Sequence, residues 1–109
     1  QMGSYEAYLL RSFTNQTIPA IVENGQLMIQ LDDRTFTTQF DFVSSGYKAR
    51  LTSRGVVAED GRFYNDLFAY GNTRVQGAVS GVNAQEAATL FNHTIDSKNS
   101  AVGAIRWSR

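Results

Sequence analysis

Three observations predict an all-β domain, a small antiparallel, up-and-down, eight-stranded barrel. Apolar and polar residues alternate through most of the chain, so one face of each strand is apolar and the other wet. Turn-forming pairs such as Asn24-Gly25 and Asp60-Gly61 punctuate the alternation at a spacing of roughly 8–12 residues, as in barrels and sandwiches. The connections are short, which favours consecutive strands pairing side by side.

Taken in order, Tyr5, Tyr8, Leu9 and Phe13 have helix-like spacing, so residues 1–20 are expected to form an N-terminal arm or short helix. The opening Gln1-Met2-Gly3-Ser4 reads as a cloning remnant ahead of a piece of a longer chain. Residues 21–109 are the expected barrel. Its strands are predicted near 18–23, 26–32, 34–43, 46–53, 55–59, 62–70, 73–80, 89–96 and 101–107. Leu27, Ile29 and Leu31 alternate with Met28, Gln30 and Asp32, and Phe36, Thr38, Phe40 and Phe42 with Thr35, Thr37, Gln39 and Asp41. Tyr47, Ala49 and Leu51 continue the pattern, and Val75, Gly77 and Val79 repeat it later. Asp32-Asp33, Ser44-Ser45-Gly46, Gly71-Asn72 and Lys98-Asn99-Ser100 are expected turns. In Asn83-Ala84-Gln85-Glu86-Ala87-Ala88, Asn83 suits an N-cap and Glu86 can reach back to it. One helical turn is therefore expected before the last two strands.

The chain has 109 residues, 42% hydrophobic and 18% charged, with one proline, enough to hold a core without staples. It has no cysteine, which excludes disulfides, thiolate metal sites and cysteine nucleophiles. Ten basic and ten acidic residues give a net charge of zero, so no long-range field draws it to nucleic acid. No apolar run is long enough for a transmembrane helix.

Catalytic chemistry is sparse. The single histidine, His93, shares a strand face with Phe91 and reads as a partly covered strand residue rather than a general base. Asp32-Asp33 and Glu59-Asp60 are adjacent in turns, where neighbouring side chains diverge, so neither makes a catalytic carboxylate pair. Asp96, Ser97 and Asn99 lack calcium-loop spacing and read as a turn. Gly55, Gly77, Gly81 and Gly103 form no phosphate loop; within strands they mark bends or close backbone approach. No enzyme activity, metal or cofactor is expected. Phe36, Phe40, Phe42, Phe63, Val75, Val79, Phe91, Ile105 and Trp107 are the expected interior.

The order Asp60-Gly61-Arg62-Phe63, Val75-Gln76-Gly77-Ala78-Val79-Ser80-Gly81, Asn83-Ala84-Gln85-Glu86-Ala87 and Val102-Gly103-Ala104-Ile105-Arg106 resembles the C-terminal β-barrel of transferrin-binding-protein-B-like bacterial surface lipoproteins. Factor H-binding lipoproteins have a related barrel. The resemblance covers residues 26–109 and departs from the family at Ser80-Gly81-Val82, Ala87-Ala88 and Val102. It implies structural roles for Gly77, Asn83, Glu86 and Gly103. It also implies a non-catalytic protein-binding module of a bacterial cell envelope, at the outer-membrane surface or in the periplasm. The partner would be a host or envelope protein, or other domains of a longer parent chain.

Exposed loop and aromatic positions Asp60, Arg62, Tyr64, Tyr70 and Asn72 are the expected contact residues. An assembly module of a larger envelope complex, or a carrier of a small apolar ligand, is the alternative. A carrier requires interior room, which Thr38, Ala49 and Gly77 would provide.

Overall fold

The structure, a computed structural model, describes residues 1–65, 72–81 and 84–109. The alternating segments form nine antiparallel strands: β1 (Met2–Arg11), β2 (Gln16–Pro19), β3 (Ile21–Gln30), β4 (Thr35–Ser44), β5 (Tyr47–Val57), β6 (Arg62–Asn65), β7 (Thr73–Ser80), β8 (Glu86–Thr94) and β9 (Asn99–Ser108). They lie in one sheet of order β2-β1-β9-β8-β7-β6-β5-β4-β3. Its two edge strands, β2 and β3, are separated in the chain by Ala20 alone. They are two halves of one bent stave: β2 pairs with β1, and β3 pairs with β4. The Ala20 N–H continues the first half onto the Ala7 carbonyl at 2.9 Å. Counting the bent stave once gives eight staves, and the meander closes through it. Beyond Ala20 the join between β1 and β3 is not hydrogen-bonded as a ladder, so the barrel is nearly closed.

The interior follows the alternation. Phe36, Phe40, Phe42, Leu51, Phe63, Val75, Phe91, Ile105 and Trp107 are all buried, and Val79 packs against them half-buried. Phe40 and Phe91 have ring centroids 4.7 Å apart, as do Phe36 and Phe63. Phe42 meets the Phe91 ring at 6.2 Å, edge-on, an orientation that suits the ring quadrupoles. Trp107 buries its ring and donates its indole N–H to Thr89 Oγ1 at 3.0 Å, so its one polar atom is satisfied inside the wall.

Five sequence expectations are corrected. The N-terminal segment is strand, not helix. Tyr5, Ala7 and Leu9 fall on one face of β1, and β9 pairs with β1 from Met2↔Trp107 to Arg11↔Asn99. That ladder satisfies backbone groups that a short isolated helix would leave to water. Met2–Ser4 belong to this strand.

Asn24-Gly25 is not a hairpin turn; β3 runs straight through it with a shifted register, a β-bulge. Asn24 takes the positive φ of 55° that the bulge needs. A Cβ on Gly25 would lie 2.6 Å from Met2 Sδ and 3.0 Å from Trp107 Cη2, so the bulge is where β3 crosses the start of β1.

The expected helical turn at Glu86–Ala88 is the start of β8, with Glu86 opposite both Ser80 and Ser108. Pairing on both sides outweighs the weak helix preference of two alanines. Its proposed cap, Asn83, lies outside the described residues, as do 66–70 of the expected strand 62–70. Segments 46–53 and 55–59 merge into β5, because Gly55 stays paired with Phe36 and Asn65.

Asp32 and Asp33 form the turn between β3 and β4 as expected. The turn expected at Lys98-Asn99-Ser100 lies earlier, at residues 96–98, because Asn99 and Ser100 already pair with Arg11 and Leu10; Gly71 lies outside the described residues. Ser45 and Gly46 both have positive φ, 48° and 82°, and make the two-residue hairpin between β4 and β5. Gly61, at 89°, closes the β5–β6 turn.

Among the described residues, Asp41 is the one carboxylate buried on the outer face. It accepts from Arg50 Nε at 3.0 Å and from Asn24 Nδ2 at 2.9 Å, tying β5 and the bulge to β4. These hydrogen bonds, Arg50 first and Asn24 second, hold its carboxyl below the ordinary 3.8. A carboxyl depressed on folding stabilises the protein in full above its unfolded value and loses that contribution as pH falls through its folded value. Below about pH 4, the melting temperature of the wild type is therefore expected to fall more steeply than that of Asp41→Asn, measured by circular dichroism. Parallel profiles for the two proteins would exclude this role for Asp41.

Candidate functional site

The barrel interior is not uniformly apolar. Register places Thr38 and Ser53 opposite each other on the inner face of β4 and β5, below the phenylalanines. The Thr38 hydroxyl donates to the Gln26 carbonyl at 2.8 Å. Ser53 is 6% exposed, and its Oγ has no hydrogen-bond partner in the protein. Leu27, opposite Thr38 on β3, and Ile29 point inward yet are only half-buried. Trp107 lies beside them at the end of β9, against Gly25.

Two open depressions converge on this end of the barrel. One, of about 790 Å³, is lined by Leu27, Thr38, Ser53 and Trp107 from the inner face and by Gln26, Met28, Thr37 and Arg54 from the outer. The other, of about 280 Å³, shares Leu27, Met28 and Trp107 and extends to Ala87, Ser108 and Arg109. The larger has the size of a small-molecule site and a mainly apolar lining with a few hydroxyls, which suits binding and orientation rather than bond-breaking.

A second polar group lies inside the wall of β6, β7 and β8. The Asn65 side chain donates to the Thr73 carbonyl at 2.6 Å and accepts the Val75 N–H at 2.9 Å, doing the work of a backbone pair. His93 Nδ1 lies 2.7 Å from Thr73 Oγ1, and burial pushes its imidazole below the usual 6.5. His93 and Phe91 do share the inner face. No acidic residue bonds to the ring, and among the described residues no three His, Asp or Glu side chains converge to hold a metal ion.

The sequence-derived contact residues divide. Asp60, Arg62 and Tyr64 come together along an open outer depression of about 740 Å³ with Gln76, Ala78, Ala88 and Leu90. There Asp60 is occupied locally: its carboxylate accepts the Arg62 backbone N–H at 3.1 Å and Arg62 Nε at 2.8 Å. Tyr64 and Leu90 are both more than half exposed. Asn72 stands apart; its carbonyl accepts the Thr94 N–H. Tyr70 lies outside the described residues.

Gly77 and Gly103 are inner-face positions where neighbours fill the space a side chain would take: Phe63 and the Ala88 carbonyl at Gly77, Phe91 and the Glu6 carbonyl at Gly103. Gly77 therefore leaves no room for a ligand, contrary to the carrier expectation at that position. Ala49 lines neither depression at the Trp107 end, and Thr38 does line one. Glu86 reaches the rim of the smaller depression.

Ser53 and Gly25 were not singled out from the sequence as site residues. Ser53 continues the parity of Tyr47, Ala49 and Leu51, so a polar residue on an inward position was the available signal.

No protein-family model matches the chain, and no curated protein matches its sequence. Among solved structures, bovine odorant-binding protein in complex with undecanal is similar at a TM-score of 0.46 and 8% identity, over 99% of this chain and 70% of that one. An odorant-binding protein, OBP1, is similar at 0.44 and 12% identity, over 99% and 70%. The siderocalin Ex-FABP, described as having dual ligand specificities, is similar at 0.44 and 10% identity, over 96% and 70%.

Proposed function

We propose that this barrel is a non-catalytic binding protein for a small, mainly apolar molecule carrying one polar group. The observation that carries the reading is the buried Ser53 hydroxyl without a protein partner, beside Thr38, Leu27 and Trp107 at the open end of a barrel otherwise filled by phenylalanine. A buried hydroxyl left unpaired costs about 1–3 kcal/mol, so its retention is explained if a ligand group completes it. The packed Phe36, Phe40, Phe42, Phe63 and Phe91 limit the ligand to that end and to a small size. The protein-binding reading has an outer patch at Tyr64 and Leu90, and nothing in the structure names what would cover it. A bacterial-envelope setting follows from the family resemblance alone.

Trp107 is the sole tryptophan, so its emission reports this end of the barrel and no other. Titration with medium-chain alcohols and with alkanes of equal length is expected to shift Trp107 emission saturably. Ser53→Ala is expected to keep or raise the melting temperature and to weaken alcohol binding about tenfold, near 1.4 kcal/mol, with alkane binding unchanged. Emission that never saturates, or equal losses for both series, would sink the proposal.

A further inference from the structure

Resting on the small-ligand reading above, we infer that the site selects an alcohol, a group that both accepts and donates a proton, and that Thr38 is the residue that sets this preference.

The inner face brings polar atoms of Thr38, Ser53 and Trp107 to the larger depression. Two of these three side chains have already spent their proton. Trp107 donates its indole N–H to Thr89 Oγ1 at 3.0 Å, and Thr38 donates its hydroxyl proton to the Gln26 carbonyl at 2.8 Å. A hydroxyl has one proton and two lone pairs, so Thr38 Oγ1 is left as an acceptor only. Ser53, 6% exposed, keeps its proton unspent.

Register sets Thr38 and Ser53 directly opposite each other on β4 and β5, and the two hydroxyls do not bond each other. Directly opposed Cβ atoms lie about 4.5–5.5 Å apart. Two hydroxyls that share a third oxygen each lie about 2.8 Å from it, so their own oxygens stand up to about 5.5 Å apart. The spacing therefore suits one guest oxygen between them, accepting from Ser53 and donating to Thr38. An alcohol does both. A ketone, ether or ester accepts from Ser53 and has no proton for Thr38. A carboxylate has none either, and its charge is costly to bury without a partner. Arg54 lines the same depression from the outer face of β5, turned the opposite way from Ser53.

The test compares 2-octanol with 2-octanone, which share a carbon skeleton, by titration calorimetry and Trp107 emission. Taking the alcohol-to-ketone affinity ratio in a variant against that of the wild type cancels the cost of dehydrating each compound. Thr38→Val, close in shape, is expected to lower the ratio about fivefold, the worth of one neutral hydrogen bond. Thr38→Ser keeps the hydroxyl and is expected to restore it. Ser53→Ala is expected to weaken both compounds about tenfold, because both accept from Ser53. On the wild type alone, octanoate is expected to bind at least tenfold more weakly than 2-octanol, a result that stands even if Thr38→Val fails to fold. Both compounds bound with an unchanged ratio in Thr38→Val would overturn the inference and leave the small-ligand reading in place. Octanoate bound as tightly as 2-octanol would do the same, placing the polar group at Arg54. If neither 2-octanol nor 2-octanone binds saturably, the small-ligand reading fails and the inference with it.

Discussion

Phe40→Ala is expected to lower the melting temperature by about 12–20 °C. Phe40 is 2% exposed, its ring packs on Phe91 at 4.7 Å, and it sits between the Thr38–Ser53 and Phe42–Ala49 rows of the inner face. Removing a buried phenylalanine ring costs about 3–5 kcal/mol through lost burial and the cavity left behind. The upper part of that range applies where neighbours cannot collapse into the hole. The Phe91 backbone is held by β7 and β9 on both sides, and Phe42 and Leu51 are fixed by the β4–β5 ladder. A chain of this size loses about 4 °C per kcal/mol. Differential scanning calorimetry measures the shift, and an unchanged melting temperature would refute the inward assignment of the whole even-numbered face of β4.

Gly77→Ala is the second large effect, with an opposite physical cause. Here nothing is removed; one methyl group is added where there is no space. A Cβ at Gly77 would meet the Ala88 carbonyl oxygen, which belongs to the β7–β8 ladder, and the Phe63 ring at 2.5 Å. The ring is itself 1% exposed and packed on Phe36 at 4.7 Å, so it cannot swing aside. Overpacking of this kind costs about 1–3 kcal/mol, and more where the obstacle is backbone. Urea unfolding is expected to show a lower midpoint with an unchanged slope. The double variant Gly77→Ala, Phe63→Leu is expected to recover part of the loss, because the smaller side chain vacates the contact. A single variant as stable as the wild type would remove the reason given for a glycine in the middle of β7.

These two residues also show what was legible in advance. Phe40 could be placed from the alternation alone: a period of two assigns every second residue to one face, and the face with three phenylalanines must be the buried one. The glycine at Gly77 could be recognised as a close-approach position, yet the atoms it approaches belong to strands β6 and β8, which no local pattern specifies. The same reason separates two groups of residues. Asp60, Arg62 and Tyr64 line one outer depression because they are sequence neighbours on one hairpin, whereas Ser53 and Trp107 meet only when the barrel closes.

The sequence by itself determined the all-β class, the faces of the strands, most of the turns and the shortage of catalytic groups. Each of these depends on side-chain type and on a period that extends over only a few residues. Tertiary structure alone decided three things. It made residues 2–11 a strand, because β9 offered a partner ladder to a segment whose spacing also suited a helix. It turned Asn24-Gly25 from a hairpin into a bulge, because β3 has to pass Met2 and Trp107 there and the chain gains more by continuing along β4 than by reversing. And it brought Ser53, Thr38, Leu27 and Trp107 together at one end of the barrel, because β3, β4, β5 and β9 meet there only when the sheet curves round on itself. Local propensities differ by about a kilocalorie per mole, and a full ladder of backbone pairs with a buried face outweighs them.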